Sequence, residues 1–191
     1  MKLAMPTEEE LRMVYQRDLE EAFPPEELKP LSHIVDMRRK GRYRPLCLYD
    51  GGEIIGECFL WDGNPGWTLL DYLCVTKARR NGGLGSRIIR ELRTLETETV
   101  ILGESENPAY APDPALARRR LGFYERSGTR LAGYDTELFG VRYHTLYWAD
   151  SALEDAALLR AHQEIYQLSF LPEKYARHIR IPYSFSEEAS V

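Results

Sequence analysis

The sequence predicts an α/β fold in which helices flank a mixed, mostly antiparallel central sheet. Three patterns support this prediction. Apolar residues recur at helical spacing over positions 7–41, apolar runs separated by glycine-rich turns follow over 46–75, and a strand, a helix and a strand then succeed one another up to 106. Short turns join antiparallel strands, whereas a strand–helix–strand succession of this length indicates a parallel crossover.

Two helices are predicted between positions 7 and 41. Thr7 and Glu10 have the spacing of a capping box, and apolar residues follow at helical intervals. Pro24 and Pro25 interrupt this helix. The second helix ends in basic residues before Gly41, as the C-termini of helices prefer.

Three strands in a meander are predicted next. The turn Asp50-Gly51-Gly52 separates the apolar runs Leu46–Tyr49 and Ile54–Trp61, a pattern typical of a hairpin. Asn64-Pro65-Gly66 then turns the chain into a third run, Trp67–Val75.

The sequence after Val75 predicts the remaining strands and helices. One apolar face over Leu84–Leu95 predicts the crossover helix, and Val100–Glu106 predicts the strand behind it. Asp113 and Pro114 have the chemistry of a helix start, for a helix that ends at about Ser127. Strands near 131–134 and 138–148 and a helix over about 151–169 follow. We therefore expect a single domain over 1–191, with its core at about 46–148 and the last helix as an addition.

Composition excludes several classes of function. The net charge of −5 and the pI of about 5.5 argue against binding to nucleic acid or to an anionic membrane surface. No uncharged apolar run approaches the ~18 residues of a membrane span, and the first residues lack the apolar region of a signal peptide, so we expect a cytoplasmic protein. Cys47, Cys58 and Cys74 lie inside apolar stretches without metal-ligand spacing. They are expected to be reduced core residues, with no metal bound.

A basic, glycine-rich loop is the most informative segment of the sequence. Between Tyr72 and Arg90 there are five basic residues and no acidic one. The loop Arg80–Ser86, which reads Arg-Asn-Gly-Gly-Leu-Gly-Ser, follows an apolar strand and opens a helix. Glycines let the backbone approach a ligand, and the N–H groups of a first helical turn bind anions. The loop therefore predicts a diphosphate cradle.

Other phosphate loops fit this segment less well. A P-loop needs a lysine between its last glycine and the Ser or Thr, and Ser86 follows Gly85 directly. A dinucleotide fingerprint needs a third glycine where Ile88 stands.

Two segments in order resemble the GNAT superfamily of N-acetyltransferases. The strand Leu73-Cys74-Val75, followed by Arg80-x-x-Gly83-x-Gly85, is similar to the superfamily's Arg/Gln-x-x-Gly-x-Gly/Ala signature. The later segment Phe123–Gly128 is similar to its Phe-Tyr-Glu-x-x-Gly helix. The resemblance covers residues 46–148, and Lys77 replaces the family's proline after the motif strand.

This resemblance implies a donor, a fold and a set of binding residues. It implies that acetyl-CoA binds between the central parallel strands, with its pyrophosphate on the backbone amides of the loop. A backbone N–H near Val75, in the strand that includes Leu73, would hold the thioester oxygen. The expected cofactor-binding residues are Leu73, Val75, Arg80, Asn81, Gly82, Gly83, Leu84, Gly85 and Ser86.

The resemblance and the chemistry of acyl transfer suggest an acid and a base. Tyr124 occupies the position from which a phenol can protonate the sulfur of coenzyme A. Glu104 and Glu106 end a strand on the same face, and either could take a proton from the acceptor, directly or through water; Glu104 is the first choice. Of the run Arg118–Arg120, at most one is expected to contact coenzyme A.

The sequence therefore predicts direct transfer of an acetyl group from acetyl-CoA to a primary amine in a ternary complex, without a metal. The acceptor is expected to be a small molecule or a peptide, and the protein a monomer or homodimer without nucleic-acid or membrane partners. A non-catalytic acyl-CoA sensor of the same fold remains an alternative. An unrelated nucleotide-binding enzyme is a third.

Overall fold

Two compact units make up the chain in a computed structural model that describes residues 1–25 and 27–184. The first unit contains Met1–Asp62 and Thr68–Thr99, and the second contains Gly63–Trp67 and the residues from Val100 onward.

The first unit is built on four strands in the order β1-β2-β3-β4, and each neighbouring pair is antiparallel. The strands are β1 (Lys2–Ala4), β2 (Tyr43–Asp50), β3 (Glu53–Asp62) and β4 (Trp67–Val75). The predicted meander is confirmed, whereas β1 was not predicted. A bulge interrupts the pairing of β3 with β4, because Phe59 lies opposite Tyr72 and Leu60 lies opposite Leu70, which leaves Asp71 without a partner on β3.

Four α-helices belong to the first unit: α1 (Glu8–Val14), α2 (Glu20–Ala22), α3 (Leu31–Arg39) and α4 (Leu84–Leu95). A π-helical turn over Tyr15–Leu19 joins α1 to α2. The predicted capping box is confirmed, since the Thr7 hydroxyl accepts a hydrogen bond from the Glu10 amide at 3.1 Å and the Glu10 carboxylate accepts one from the Thr7 amide at 2.8 Å.

Helix α4 packs closely on β3. Its buried face consists of Ile88, Ile89 and Leu92. A Cβ atom on Gly56 would lie 2.9 Å from the Cδ1 atom of Ile88. The absence of a side chain at Gly56 therefore allows this close packing, which fixes the helix that follows the glycine-rich loop.

The described part of the second unit contains four further strands, in the order β5-β7-β6-β8, again with antiparallel pairs. They are β5 (Val100–Glu106), β6 (Arg130–Leu138), β7 (Val141–Trp148) and β8 (Ile179–Arg180). Its helices are α5 (Pro114–Arg126), α6 (Asp155–Gln167) and α7 (Pro172–His178). The Asp113 carboxylate caps α5 by accepting hydrogen bonds from the amides of Ala115 and Leu116, as predicted.

The turn between β6 and β7 lies later than the sequence predicts. Strand β6 continues to Leu138, and the chain turns at Phe139 and Gly140, whose φ angles are 51° and 85°. A two-residue hairpin turn requires positive φ at both positions, which Asn-Gly or Asp-Gly usually supplies. Phe-Gly lacks that signal, so the predicted strand from Leu138 combined this turn with β7. The short elements α7 and β8 were not predicted.

Candidate active site

The glycine-rich loop forms an uncapped helix start. After β4 the chain makes a 3₁₀ turn over Lys77–Arg79, passes Asn81 at a φ of 66°, and enters α4 through Gly83 at a φ of 77°. No side chain caps α4, and its first turn contains no acidic residue. The N–H groups of a first turn lack partners within the helix. Those of Leu84, Gly85 and Ser86 are thus suited to an anionic ligand.

The backbone conformation at position 83 requires glycine, whereas the space around it would admit a side chain. A Cβ atom there would meet no atom within 4 Å, so the position is open, but its φ of 77° is one that side-chain-bearing residues rarely adopt. The cradle therefore combines an open side with a backbone path that glycine stabilises, and it fits a diphosphate group.

The basic side chains of the loop are mostly engaged by the protein's own carboxylates. Glu21 forms ion pairs with Arg80 and with Lys77, the latter at 3.0 Å, and Glu53 lies 3.2 Å from Arg79. The Arg80 guanidinium, and after it the Lys77 ammonium, lowers the pKa of Glu21. The structure thus places a carboxylate beside each of Lys77, Arg79 and Arg80, which the sequence did not indicate.

Arg87 offers a further donor at the start of α4. Its Nε atom is buried without a hydrogen-bond partner among the described residues, and its guanidinium lies 3.7 Å from Glu91. A buried donor without a partner costs free energy until a ligand or water satisfies it. This group stands one residue after the cradle and would suit a phosphate oxygen.

Leu73 and Val75 occupy the last three positions of β4, opposite Cys58 and Gly56 of β3. They lead directly into the cradle. All the residues expected to bind the donor thus belong to one continuous segment, 73–86.

Tyr124 lies on α5 with its ring packed between two aromatic side chains. The ring centroids of Phe123 and Trp148 are 5.2 and 5.9 Å away, both edge-on. Burial raises the pKa of Tyr124 to about 12, so the phenol keeps its proton at neutral pH. Among the described residues its hydroxyl has no hydrogen-bond partner, which leaves that proton available for donation.

Glu104 on β5 is tied to the C-terminal helix α6. Its Oε1 atom lies 2.8 Å from Nε2 of His162 and accepts a hydrogen bond from the Tyr166 hydroxyl at 2.9 Å. The His162 side chain is fully buried, and its Nδ1 atom lies 3.3 Å from the Tyr134 hydroxyl. Sequence spacing gave no sign of this pairing, because 58 residues separate the two partners.

The other charged candidates of the second unit have their own partners. Glu106 lies 3.8 Å from Arg120, and His144 lies 2.8 Å from Asp135. Of the three consecutive arginines, Arg120 is therefore partly engaged, whereas Arg118 and Arg119 are exposed. His144 and His162 both contact carboxylates, which no motif spacing indicated.

Glu57 is a titratable group that sequence reasoning missed. It is fully buried on β3, opposite Cys47 and Cys74, and neither carboxyl oxygen has a conventional hydrogen-bond partner among the described residues. Burial, and after it the nearby Asp18 carboxylate, raises its pKa to about 8, while the Cys74 thiol acts in the opposite direction. A glutamate within an apolar strand resembles a solvent-facing residue, so the sequence contained no signal for it.

The three cysteines are buried free thiols, as predicted. Burial is the largest of the causes that raise the pKa of each thiol, so none is activated as a nucleophile. Within residues 1–25 and 27–184, no group of three or more His, Cys, Asp or Glu side chains is placed to hold a metal ion, and no helix is long and apolar enough to span a membrane.

A family model described as the acetyltransferase (GNAT) family matches residues 9–128, well over half of the chain. The chain belongs to the GNAT acetyltransferases. The matched residues include the cradle and Tyr124, so the GNAT resemblance of both motifs is confirmed. No curated protein gives a significant match.

Solved structures of GNAT proteins share the fold. A protein from Bacteroides thetaiotaomicron assigned to the GNAT acetyltransferases has a TM-score of 0.75 at 22% identity, covering 90% of this chain and 99% of that one. A ribosomal-protein-alanine N-acetyltransferase from Brucella melitensis has a TM-score of 0.57 at 16% identity, covering 78% and 99%. AAC(6')-Ib in complex with paromomycin and acetyl-CoA has a TM-score of 0.59 at 18% identity, covering 78% and 93%.

These matches confirm the predicted fold class, GNAT-like with a mostly antiparallel sheet and flanking helices, and the protein is an enzyme of the N-acetyltransferase class. Helix α6, which supplies His162 and Tyr166, lies beyond the residues that the GNAT family model matches. It is an addition to the matched region.

Proposed function

We propose that this enzyme transfers the acetyl group of acetyl-CoA directly to a primary amine in a ternary complex. The uncapped start of α4, entered through Gly83 at positive φ, is the observation that carries the proposal. It offers backbone donors for a diphosphate, and a diphosphate is one of the charged recognition elements of coenzyme A.

The segment 73–86 is proposed to hold the donor. Backbone amides from Arg80 to Ser86 bind the diphosphate, and an N–H group near Val75, in the strand that includes Leu73, polarises the carbonyl that the amine attacks. Acetyl-CoA supplies an activated carbonyl and a thiolate leaving group. The chain's own residues bind the charges, orient the carbonyl and move the protons.

Tyr124 is proposed as the general acid. The attack forms the new carbon–nitrogen bond and breaks the carbon–sulfur bond, and the departing thiolate takes the Tyr124 proton. The phenol keeps its proton at neutral pH and has no competing hydrogen bond among the described residues, which supports this role. A positioned acid of this kind contributes typically ~10²- to 10⁴-fold in rate.

Glu104 is proposed as the base, with His162 behind it. The Glu104 side chain is 14% exposed, and His162 contacts it from the buried side. The exposed part of the carboxylate can take the amine's proton directly or through water, while the imidazole fixes the position of the carboxylate. The alternative base Glu106 already lies 3.8 Å from Arg120, so Glu104 stays the first choice.

The acceptor is proposed to be a small molecule or peptide that carries a primary amine, and the enzyme is proposed to act without a metal, as a monomer or homodimer in the cytoplasm. Structures of similar fold include an enzyme named for a ribosomal-protein alanine and AAC(6')-Ib bound to paromomycin. Both kinds of amine belong in the first acceptor screen.

Calorimetric titration with acetyl-CoA, desulfo-CoA and ATP tests the donor site. Micromolar binding of acetyl-CoA and desulfo-CoA without tight binding of ATP is the expected result. Binding of ATP alone would overturn the proposal in favour of another nucleotide enzyme. An acceptor screen over amines, peptides and aminoglycosides then separates transfer from mere binding: acetyl-CoA binding with no acetylated product would assign the protein as an acyl-CoA sensor.

A further inference from the structure

The ammonium group of Lys29 is held by acidic and aromatic side chains of the first unit. Its Nζ atom lies 2.7 Å from Oδ1 of Asp71, 4.5 Å from the centroid of the Trp61 ring and 5.5 Å from that of Tyr72. The hydroxyl of Tyr43 donates a hydrogen bond to the other carboxylate oxygen of Asp71. We call the four residues around Lys29 the ammonium cage: Tyr43, Trp61, Asp71 and Tyr72.

The ammonium cage belongs to paired strands, and the bulge places its carboxylate. Tyr43 lies on β2, Trp61 on β3, and Asp71 and Tyr72 on β4. Asp71 is the bulge residue between the register pairs Phe59–Tyr72 and Leu60–Leu70. Bulges re-aim side chains and are over-represented beside active sites. The paired strands thus fix the backbone positions of all four cage residues.

Lys29 reaches the cage from an irregular segment and can leave it by rotating its side chain. It lies in the connection between α2 and α3, and its backbone is fixed at both ends: its amide donates to the Tyr72 hydroxyl at 2.8 Å, and its carbonyl accepts from the Tyr15 hydroxyl at 2.9 Å. The side chain is 18% exposed, so a path to water exists. Neither backbone hydrogen bond involves the side chain, so both can persist when the ammonium leaves, and its release restores rotamer entropy to a long side chain.

The ammonium group of a ligand can replace that of Lys29 and make the same contacts. The Asp71 side chain is only 8% exposed, and a buried carboxylate needs a positive partner. Aromatic faces add a cation–π attraction that favours a cation over a neutral group of the same shape. Exchange of Lys29 for a ligand ammonium keeps all of these interactions, whereas a neutral ligand would leave Asp71 unpaired.

The position of Asp71 on β4 indicates which ammonium group of a ligand with several charges would occupy the ammonium cage. It precedes Leu73 by two residues and Val75 by four, which corresponds to ~7 to ~13 Å along a strand. A reacting amine must come within ~3.5 Å of the carbonyl it attacks. The separation of the Asp71 and Val75 backbones favours a second charge of the ligand in the cage, and not the amine that attacks a carbonyl held at Val75.

We propose that the ammonium cage binds a non-reacting ammonium group of the acceptor in place of Lys29, so that the acceptor is an amine with at least one further positive charge. This inference rests on the proposed acetyl transfer, since it identifies the class of acceptor. It assigns Asp71 as a specificity-determining residue and Lys29 as the internal occupant that the acceptor displaces.

Chemical rescue tests the cage without any measurement of catalysis. The change Lys29→Ala removes the atoms that propylammonium would restore, so propylammonium should raise the melting temperature of this variant by several degrees. It should not raise that of the wild type or of Lys40→Ala, which removes an exposed lysine of the same unit. The neutral analogue 1-propanol is the matched ligand. Equal effects of propylammonium and 1-propanol on Lys29→Ala would overturn the proposal.

Acceptor kinetics test the substrate class. Linear diamines of increasing chain length are the test series, and the best of them should have a KM at least ~tenfold below that of the corresponding amino alcohol in the wild type, with similar kcat. Asp71→Asn should remove this difference, and Lys29→Ala should enlarge it. Equal KM values for diamines and amino alcohols in the wild type would refute the proposal even if Asp71→Asn fails to fold.

The two proposals fail in different ways. If no amine is acetylated but propylammonium rescues Lys29→Ala, the proposed transfer is wrong and the ammonium cage stands as a binding site. If amines are acetylated without a preference for a second charge, the transfer stands and the cage is only a structural ion pair.

Discussion

Glu104 and His162 form a pair across the second unit, with Oε1 of the glutamate 2.8 Å from Nε2 of a histidine whose side chain is fully buried. Strand β5 supplies the first residue and helix α6 the second. Because the family model ends at residue 128, the proposed base is fixed by a helix outside the matched region. The C-terminal addition is therefore coupled to the site and is more than a packing element.

Loss of His162 should destabilise the protein. His162→Ala removes a fully buried side chain and the partner of Glu104, and such a loss costs about 2 kcal/mol or more in the free energy of unfolding. Urea denaturation measures this value. The control is Arg160→Ala, an exposed change on the same helix, which should stay within about 0.5 kcal/mol of the wild type. Equal stabilities of the two variants would show that the pair contributes little.

Tyr124→Phe should lower kcat by at least ~10²-fold, because the acid that protonates the thiolate is lost. The phenylalanine ring keeps the edge-on contacts with Phe123 and Trp148, and the hydroxyl has no partner to lose among the described residues. Acetyl-CoA affinity and melting temperature should therefore match the wild type. Unchanged turnover would remove Tyr124 from the mechanism.

Gly83→Val should weaken acetyl-CoA binding while a matched variant keeps it. Both Gly83 and Gly66 have positive φ, at 77° and 87°, and a Cβ atom on either would meet nothing within 4 Å. The backbone strain of Gly83→Val and Gly66→Val is thus similar, but only the first lies in the cradle. Calorimetry should show at least a ~tenfold loss of affinity for Gly83→Val alone. A similar loss in both variants would indicate general destabilisation.

Glu57 should make the protein less stable as the pH rises. Its pKa is about 8 in the folded protein, against an ordinary value of 4.5, so the folded state holds a proton that the unfolded state releases above pH 4.5. Stability is complete below about pH 4.5 and declines up to about pH 8. At about 1.4 kcal/mol per pKa unit, the loss has an upper limit of about 5 kcal/mol.

The change Glu57→Gln tests this sign directly. The neutral amide should flatten the decline, so the urea midpoint of the variant should exceed that of the wild type above pH 8 and approach it near pH 5. Glu53→Gln is the control, since Glu53 lies on the same strand and its side chain is 72% exposed. A decline that persists in Glu57→Gln would assign the titration to another group.

The sequence predicted those caps and turns that are determined by residues close together in the chain. The capping box at Thr7, the Asp113–Pro114 helix start and the glycine-rich hairpin each depend on contacts within a few residues, so the sequence was sufficient for them. The turn at Phe139–Gly140 was placed wrongly because phenylalanine at positive φ gives no compositional signal. There the pairing of β6 with β7 overrides the local preference.

The residues of the candidate site divide in the same way, into those predicted from neighbouring residues and those that depend on long-range packing. The cradle is a continuous segment, and its motif could be identified directly. The partners of Glu104, the buried Glu57 and the contact of Lys29 with Asp71 join residues far apart in the chain, 42 positions in the last case. Such pairs depend on which strands and helices pack together, and neither periodicity nor motif spacing specifies that.

The double ion pair of Glu21 with Lys77 and Arg80 affects how dissolved salt should act on donor binding. Free cations at a phosphate site attract the ligand from a distance, and added salt weakens that attraction. Here the Glu21 carboxylate offsets part of the charge of two of the loop's cations, and the proposed diphosphate donors are backbone amides, which carry no net charge. Coenzyme A should therefore be retained at ionic strengths that release phosphate ligands from sites built on unpaired lysines and arginines.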